Sequence, residues 1–292
     1  MGARIRGTPI STRKRHIEEL RSLARSLQAQ KLPGVEIWVA LMRHALDQNR
    51  DLPVSAASKM DNIIQNMAIV TVGREAYHHL GDYRAITRRM AQLHIPGSPS
   101  APEARFVDRF LAELKLLGGD HAAAIEPLDT HHGADFKPQL NDQSANQIKH
   151  TFFYHFMGYV TRDDFGVVCG SLLHEIRDEG SSAEDHHAGI WGSQMGIHMR
   201  LLRQKSPTAR TLESLPALIG AAYGRNGADY GHPNLNGGLD FRAEASAVHR
   251  RVQQGLQKPG WSARLQTKVV LPVGRSVVEG YRNLSSWVKS WF

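Results

Sequence analysis

Cysteine is nearly missing from this chain of 292 residues, with Cys169 standing alone. That excludes an intrachain disulfide framework and any zinc site built from several thiolates. Its neighbours Val167 and Val168 are apolar, which reads as a buried, inert thiol rather than a nucleophile. Long hydrophobic runs are missing too: no stretch approaches the ~18 residues of a membrane-spanning helix, and the N-terminus shows no apolar segment of secretory type. A start in the cytoplasm is therefore expected. Several catalytic signatures are also absent. No H-E-x-x-H occurs, since His174-Glu175 lacks the second histidine, and no G-K-[ST] follows the glycines. "CGSLL" and "WGSQM" lack the closing glycine of a nucleophile elbow. The loop with Asp229, His232, Asn234, Asn236 and Asp240 lacks the alternating acids and closing glutamate of an EF-hand.

Acidic residues are in deficit. There are 28 Asp+Glu against 36 Lys+Arg, a formal charge of +8, which favours polyanionic surroundings such as nucleic acid, anionic lipid or cell-wall polymer. The imbalance concentrates early, where Arg4, Arg6, Arg13, Lys14, Arg15, Arg21 and Arg25 are opposed by Glu18 and Glu19. Residues 1–12, with Gly2, Gly7 and Pro9 and little apolar pattern, read as a basic, disordered arm.

What the chain does have is helical periodicity. Apolar residues at three-and-four spacing predict helices over 13–29, 35–48 and 56–72. The segment 74–93 is more polar and keeps one face wet. "HIPGSPSAPEA" (94–104) holds Pro96, Gly97, Pro99 and Pro102 and reads as a linker. A helix over 102–117 then stops at Gly118-Gly119. Residues 120–143 read as a connecting loop, followed by helices over 143–160, 164–179 and 182–204. Past Pro207 the pattern weakens into a glycine- and asparagine-rich loop over 223–238. A short helix near 240–256, a strand at 267–273 and a last helix near 275–291 complete the expectation. The fold class is mainly α, a multi-helix bundle with minor β near 267–273 and room for two helical subdomains. The expected organisation is the arm (1–12), a helical N-terminal region (13–95), a Pro-rich linker (96–104) and a helical functional domain (105–292).

Chemistry concentrates in "NQIKHTFFYHFMGYV" (146–160). Asn146 and His150 are four apart and share a helix face, whereas His155 stands about 140° away from His150, too far round for one helix to offer both to a single metal. The next helix carries Glu175, beside apolar Leu172, and Asp178; a carboxyl group against apolar neighbours is held towards its protonated form, as a general acid requires. The third carries His187, Trp191, Gln194 and His198 on one face, and Gly189, Gly192 and Gly196 as a seam that lets another helix approach closely. If the three pack tightly, His150, Glu175 and His187 meet as catalytic groups, with Asn146, Gln147, Asp178, Trp191 and Gln194 binding substrate. No metal site and no cofactor are expected; a transition metal held from several segments is the alternative.

The arrangement "NQxxH", then "ExRD", then a "D…G…G" helix resembles helical domains at the ends of bacterial polymorphic toxins and injected effectors. The resemblance covers residues 142–204 and rests on Asn146, Gln147, His150, Glu175, Arg177, Asp178, Asp185, Gly192 and Gly196. It departs from the pattern at His186-His187. It implies a bacterial or phage-associated effector with a hydrolase-like His/Glu site, acting on cell-wall glycan, phospholipid or nucleic acid and carried by a delivery machine or particle. Two other readings stand beside it: a structural, adaptor or cargo protein of a phage-like or contractile injection particle, and a nucleic-acid-binding protein using the basic arm. At the C-terminus Trp287, Trp291 and Phe292 offer peripheral membrane contact or docking onto the core.

Overall fold

Helix α1 (Ile10–Ala29) buries Ile17, Leu20, Ala24 and Leu27 along one stripe, and that stripe also carries Arg13 and His16 inward. Residues 10–12, expected in the arm, therefore form its first turn, and Thr8 just before it accepts a hydrogen bond from Asn62 Nδ2 at 2.8 Å. The computed structural model describes residues 8–92, 99–163, 183–205 and 207–225. The expected helices at 164–179, 240–256 and 275–291, the strand at 267–273, Cys169 and the tryptophans near the C-terminus lie outside them.

Helix α2 (Gly34–Arg50) centres on Trp38, fully buried. Its N-terminus is capped from far along the chain: Asp135 Oδ2 accepts from the amides of Val35 (2.8 Å) and Glu36 (3.2 Å). Helix α3 (Ala56–Thr71) is N-capped by Ser55, whose hydroxyl accepts from the Ser58 amide. From Met60 to Thr71 every residue is buried, because α1, α2 and several later helices surround it. Such a helix has no wet face, so its polar side chains must find partners inside.

Helices α4 (Arg74–Gln92) and α5 (Ala101–Leu116) pack together, and Arg84 forks onto Asp108 across them. A capping box starts α5, with Ser100 and Glu103 bonding reciprocally. Helix α5 thus starts one residue before the expected 102 and takes in the last four residues of the expected linker. The proline-rich segment divides no core among the described residues: Phe106, Val107 and Phe110 after it share one continuous core with Leu20, Trp38 and Ile63 before it.

The loop after α5 includes a short 3₁₀ turn (Pro138–Leu140) and leads into α6 (Gln147–Thr161). Helix α7 (Ala183–Gln204) follows the undescribed segment, then α8 (Ala209–Glu213) and α9 (Leu215–Tyr223). The last two helices were not expected. Helix α9 packs on α2, where Tyr223 stacks on Trp38 with ring centres 4.5 Å apart. Among the described residues the protein is mainly α-helical, no strand forms beyond the isolated bridge Phe136–Gly224, and no helix is long and apolar enough to cross a membrane.

Candidate functional site

The glycine seam of α7 packs against α6. A methyl group at Gly192 would lie 2.6 Å from the Thr151 carbonyl oxygen, and one at Gly196 would lie 2.6 Å from the Tyr159 amide nitrogen and collide with the His155 carbonyl. From the other side Gly158 leaves no room for a side chain against the Ser193 backbone. Gly192 faces Thr151 and Gly196, one turn later, faces Tyr159, so α6 and α7 run parallel with their main chains nearly touching.

This packing places the residues expected at the site unequally. His150 is half-buried and turns its ring edge onto Tyr154, centres 5.0 Å apart. His155 is sealed: it stacks on Phe152 at 5.3 Å, its Nδ1 lies 3.3 Å from the Tyr223 hydroxyl, and burial pulls its pKa down to about 3. Asn146 is exposed at the start of α6. Gln147 is fully buried and anchors the preceding loop, its carbonyl accepting from the Asp142 amide and its Nε2 donating to Thr151 Oγ1. It has no face left for a substrate. Trp191 and Gln194 are half-buried, and Lys137 Nζ lies 5.5 Å from the Trp191 ring centre. Glu175 and Asp178 lie outside the described residues, as does the side chain of His187.

The α7 face against α6 is the Gly192–Gly196 face. Trp191, about 100° round, looks instead towards Lys137 and the Pro138–Leu140 turn.

A second polar centre was not foreseen. Asp61, 3% exposed in the middle of α3, accepts four hydrogen bonds. Oδ1 takes the Tyr159 hydroxyl (2.7 Å) and Arg203 Nε (2.6 Å), while Oδ2 takes Arg203 Nη2 (2.7 Å) and Arg109 Nη2 (2.7 Å). One turn further along α3, Gln65 and Asn66 accept from the buried Arg13, and Glu113 accepts from Gln65 Nε2 at 2.8 Å and Arg13 Nη1 at 3.4 Å. Burial lowers Arg13 to about 10 against the pull of Glu113. Three guanidinium groups, from Arg109, Arg200 and Arg203, converge on the Phe106 ring. The signal in the sequence was the row Asp61, Asn62, Gln65 and Asn66, polar residues at helical spacing in a segment otherwise rich in Ile and Met.

A third cluster lies at the N-terminus of α2. Asp129 is fully buried and accepts from the amides of His131 (2.8 Å) and Gly133 (2.7 Å). Desolvation, with the nearby Asp129 carboxylate adding to it, raises Asp135 to about 6. Asp135 Oδ1 is buried without a hydrogen-bond partner, so a proton there costs little. Among the described residues no group of three or more His, Cys, Asp or Glu side chains is arranged to hold a metal ion.

Comparison with protein-family models, with curated proteins and with solved structures gives no match for this chain.

Proposed function

We propose that the chain is an effector-type protein, bacterial or phage-associated, that hydrolyses a polyanionic substrate, with His150 as base or electrostatic partner and Glu175 as acid. One observation carries this reading. In α6, Thr151, Phe152, Tyr154, His155 and Phe156 are all buried, yet His150 keeps partial access to solvent beside the packed α6–α7 pair. A half-buried imidazole on a rigid helix is where proton transfer near neutral pH is best supported. Burial removes His155 from that role. The charge of +8 suits a substrate rich in anionic groups, whether cell-wall glycan, phospholipid or nucleic acid.

A non-enzymatic reading, as an adaptor or cargo protein of a phage-like or contractile injection particle, rests on a different observation: Gln147, His155 and Asp61 are all committed to internal structure. Expression in a bacterium, directed to the cytoplasm or the periplasm, separates the two. Wild type is expected to arrest growth in one compartment, and His150→Ala or Glu175→Ala to relieve the arrest at equal protein level. Harmless wild type in both compartments would leave the adaptor reading.

A further inference from the structure

The arginine cluster around Asp61 carries more positive charge than its own acids neutralise. Arg13, Arg109, Arg200 and Arg203 face Asp61 and Glu113. Glu103, the other acid close enough to interact with Arg200, is engaged in the Ser100 capping box and lies 3.7 Å from Arg162. Counting this last pair as neutral, four cations meet two anions.

Neither acid hydrogen-bonds Arg200, and Glu113 Oε1 lies 4.0 Å from Arg109 Nε instead. Asp61 already accepts four hydrogen bonds, and Glu113 serves Arg13 and Gln65. Arg200 is 4% exposed, and its Nε and Nη1 are buried with no hydrogen-bond partner. A guanidinium desolvated in this way, beside Arg203 and Arg109, is costly unless something anionic completes it. The cluster reaches solvent through the side chain of Arg109, 42% exposed, and less so through Arg203 at 19%. The three guanidinium carbons lie 2.9–4.9 Å from the Phe106 ring centre, and planar forks of this kind match the oxygens of a phosphoryl group.

We infer that Arg200, with Arg109 and Arg203, forms a binding site for a phosphoryl oxyanion at the α5–α7 edge of the Asp61 cluster. The excess of two positive charges fits a phosphate dianion. This site goes beyond the reading above: Tyr159, which marks it on α6, is nine residues from His150, about 14 Å along the helix. It stands or falls without any catalytic role for His150.

The test uses the full chain and inorganic phosphate as probe, by calorimetric titration and thermal melting, with ionic strength held constant by chloride and with acetate in parallel. Phosphate is expected to bind saturably and to raise the melting temperature more than acetate or chloride. Arg200→Met removes an uncompensated buried charge while keeping the side chain's bulk. Without phosphate it is expected to melt at or above the wild-type temperature, and its affinity for phosphate is expected to fall at least tenfold. Arg200→Lys is expected to recover part of that affinity. Identical wild-type melting in phosphate and chloride would overturn the inference. So would phosphate affinity in Arg200→Met within threefold of wild type, or a phosphate-free melting temperature well below wild type, which would assign Arg200 to packing alone.

Discussion

Asp61 sits among hydrophobic neighbours in α3 with both oxygens fully used, and its value to the fold depends on which partner is removed. Asp61→Ala leaves Arg203 and the buried Tyr159 hydroxyl without their acceptor. Breaking a buried pair from one side costs about 3–5 kcal/mol. Arg109 is 42% exposed, so water replaces much of what it loses, and Arg109→Ala is expected to cost no more than about 1 kcal/mol. Urea denaturation of the two variants checks the ordering; equal losses would mean that Asp61 is not the hub. At this scale the sequence was only partly legible. His150 stood out because it interrupts an aromatic helix. The Asp61 network did not, because its members at 13, 61, 109, 159 and 203 come together only through tertiary packing, and no local spacing announces that. A row of amides and a carboxyl on an Ile- and Met-rich helix was the trace it left.

Helix boundaries were far more readable than side-chain partnerships, because periodicity and caps act within a few residues. The segments expected at 35–48, 56–72, 74–93 and 102–117 appear as Gly34–Arg50, Ala56–Thr71, Arg74–Gln92 and Ala101–Leu116. Helix α9 escaped because Leu215–Tyr223 is apolar nearly all round, leaving no polar face to set a period. The seam on α7 was legible as glycine spacing, but its direction was not: sequence shows which residues share a face, not which neighbour that face meets. Two glycines test the packing. Gly196→Ala drives a methyl into the α6 main chain and is expected to cost about 1–3 kcal/mol or more, since neither backbone can retreat. Gly81→Ala in α4 meets nothing closer than Leu111 Cδ2 at 4.0 Å and is expected to be neutral or to stabilise by up to about 1 kcal/mol through helix propensity. Thermal melts showing the same shift for both would mean that α6 and α7 are not in backbone contact.

Across the whole molecule, buried titratable groups set how the fold responds to acid, and two of them pull in opposite directions. His155 falls to about 3 from 6.5 because burial disfavours its charged form. Below pH 6.5 the unfolded chain therefore takes up a proton that the native state refuses, and stability is lost as pH falls, at about 1.4 kcal/mol per pH unit until the native value is reached. Asp135 rises to about 6 from 3.8 for the same reason applied to an acid. Its native state binds a proton that the unfolded chain releases, so between those values stability is gained as pH falls. Water reaches Asp135, which is only partly buried, and its opposing slope is the weaker of the two. Wild type is thus expected to lose stability only gently between pH 6 and 4. Asp135→Asn keeps an oxygen to cap α2 but removes the titration, and should expose the steeper loss that belongs to His155. His155→Gln should flatten the profile or reverse its sign. Urea midpoints at pH 7, 5.5 and 4.5 distinguish these outcomes; parallel profiles for wild type and both variants would mean that neither group carries the linkage.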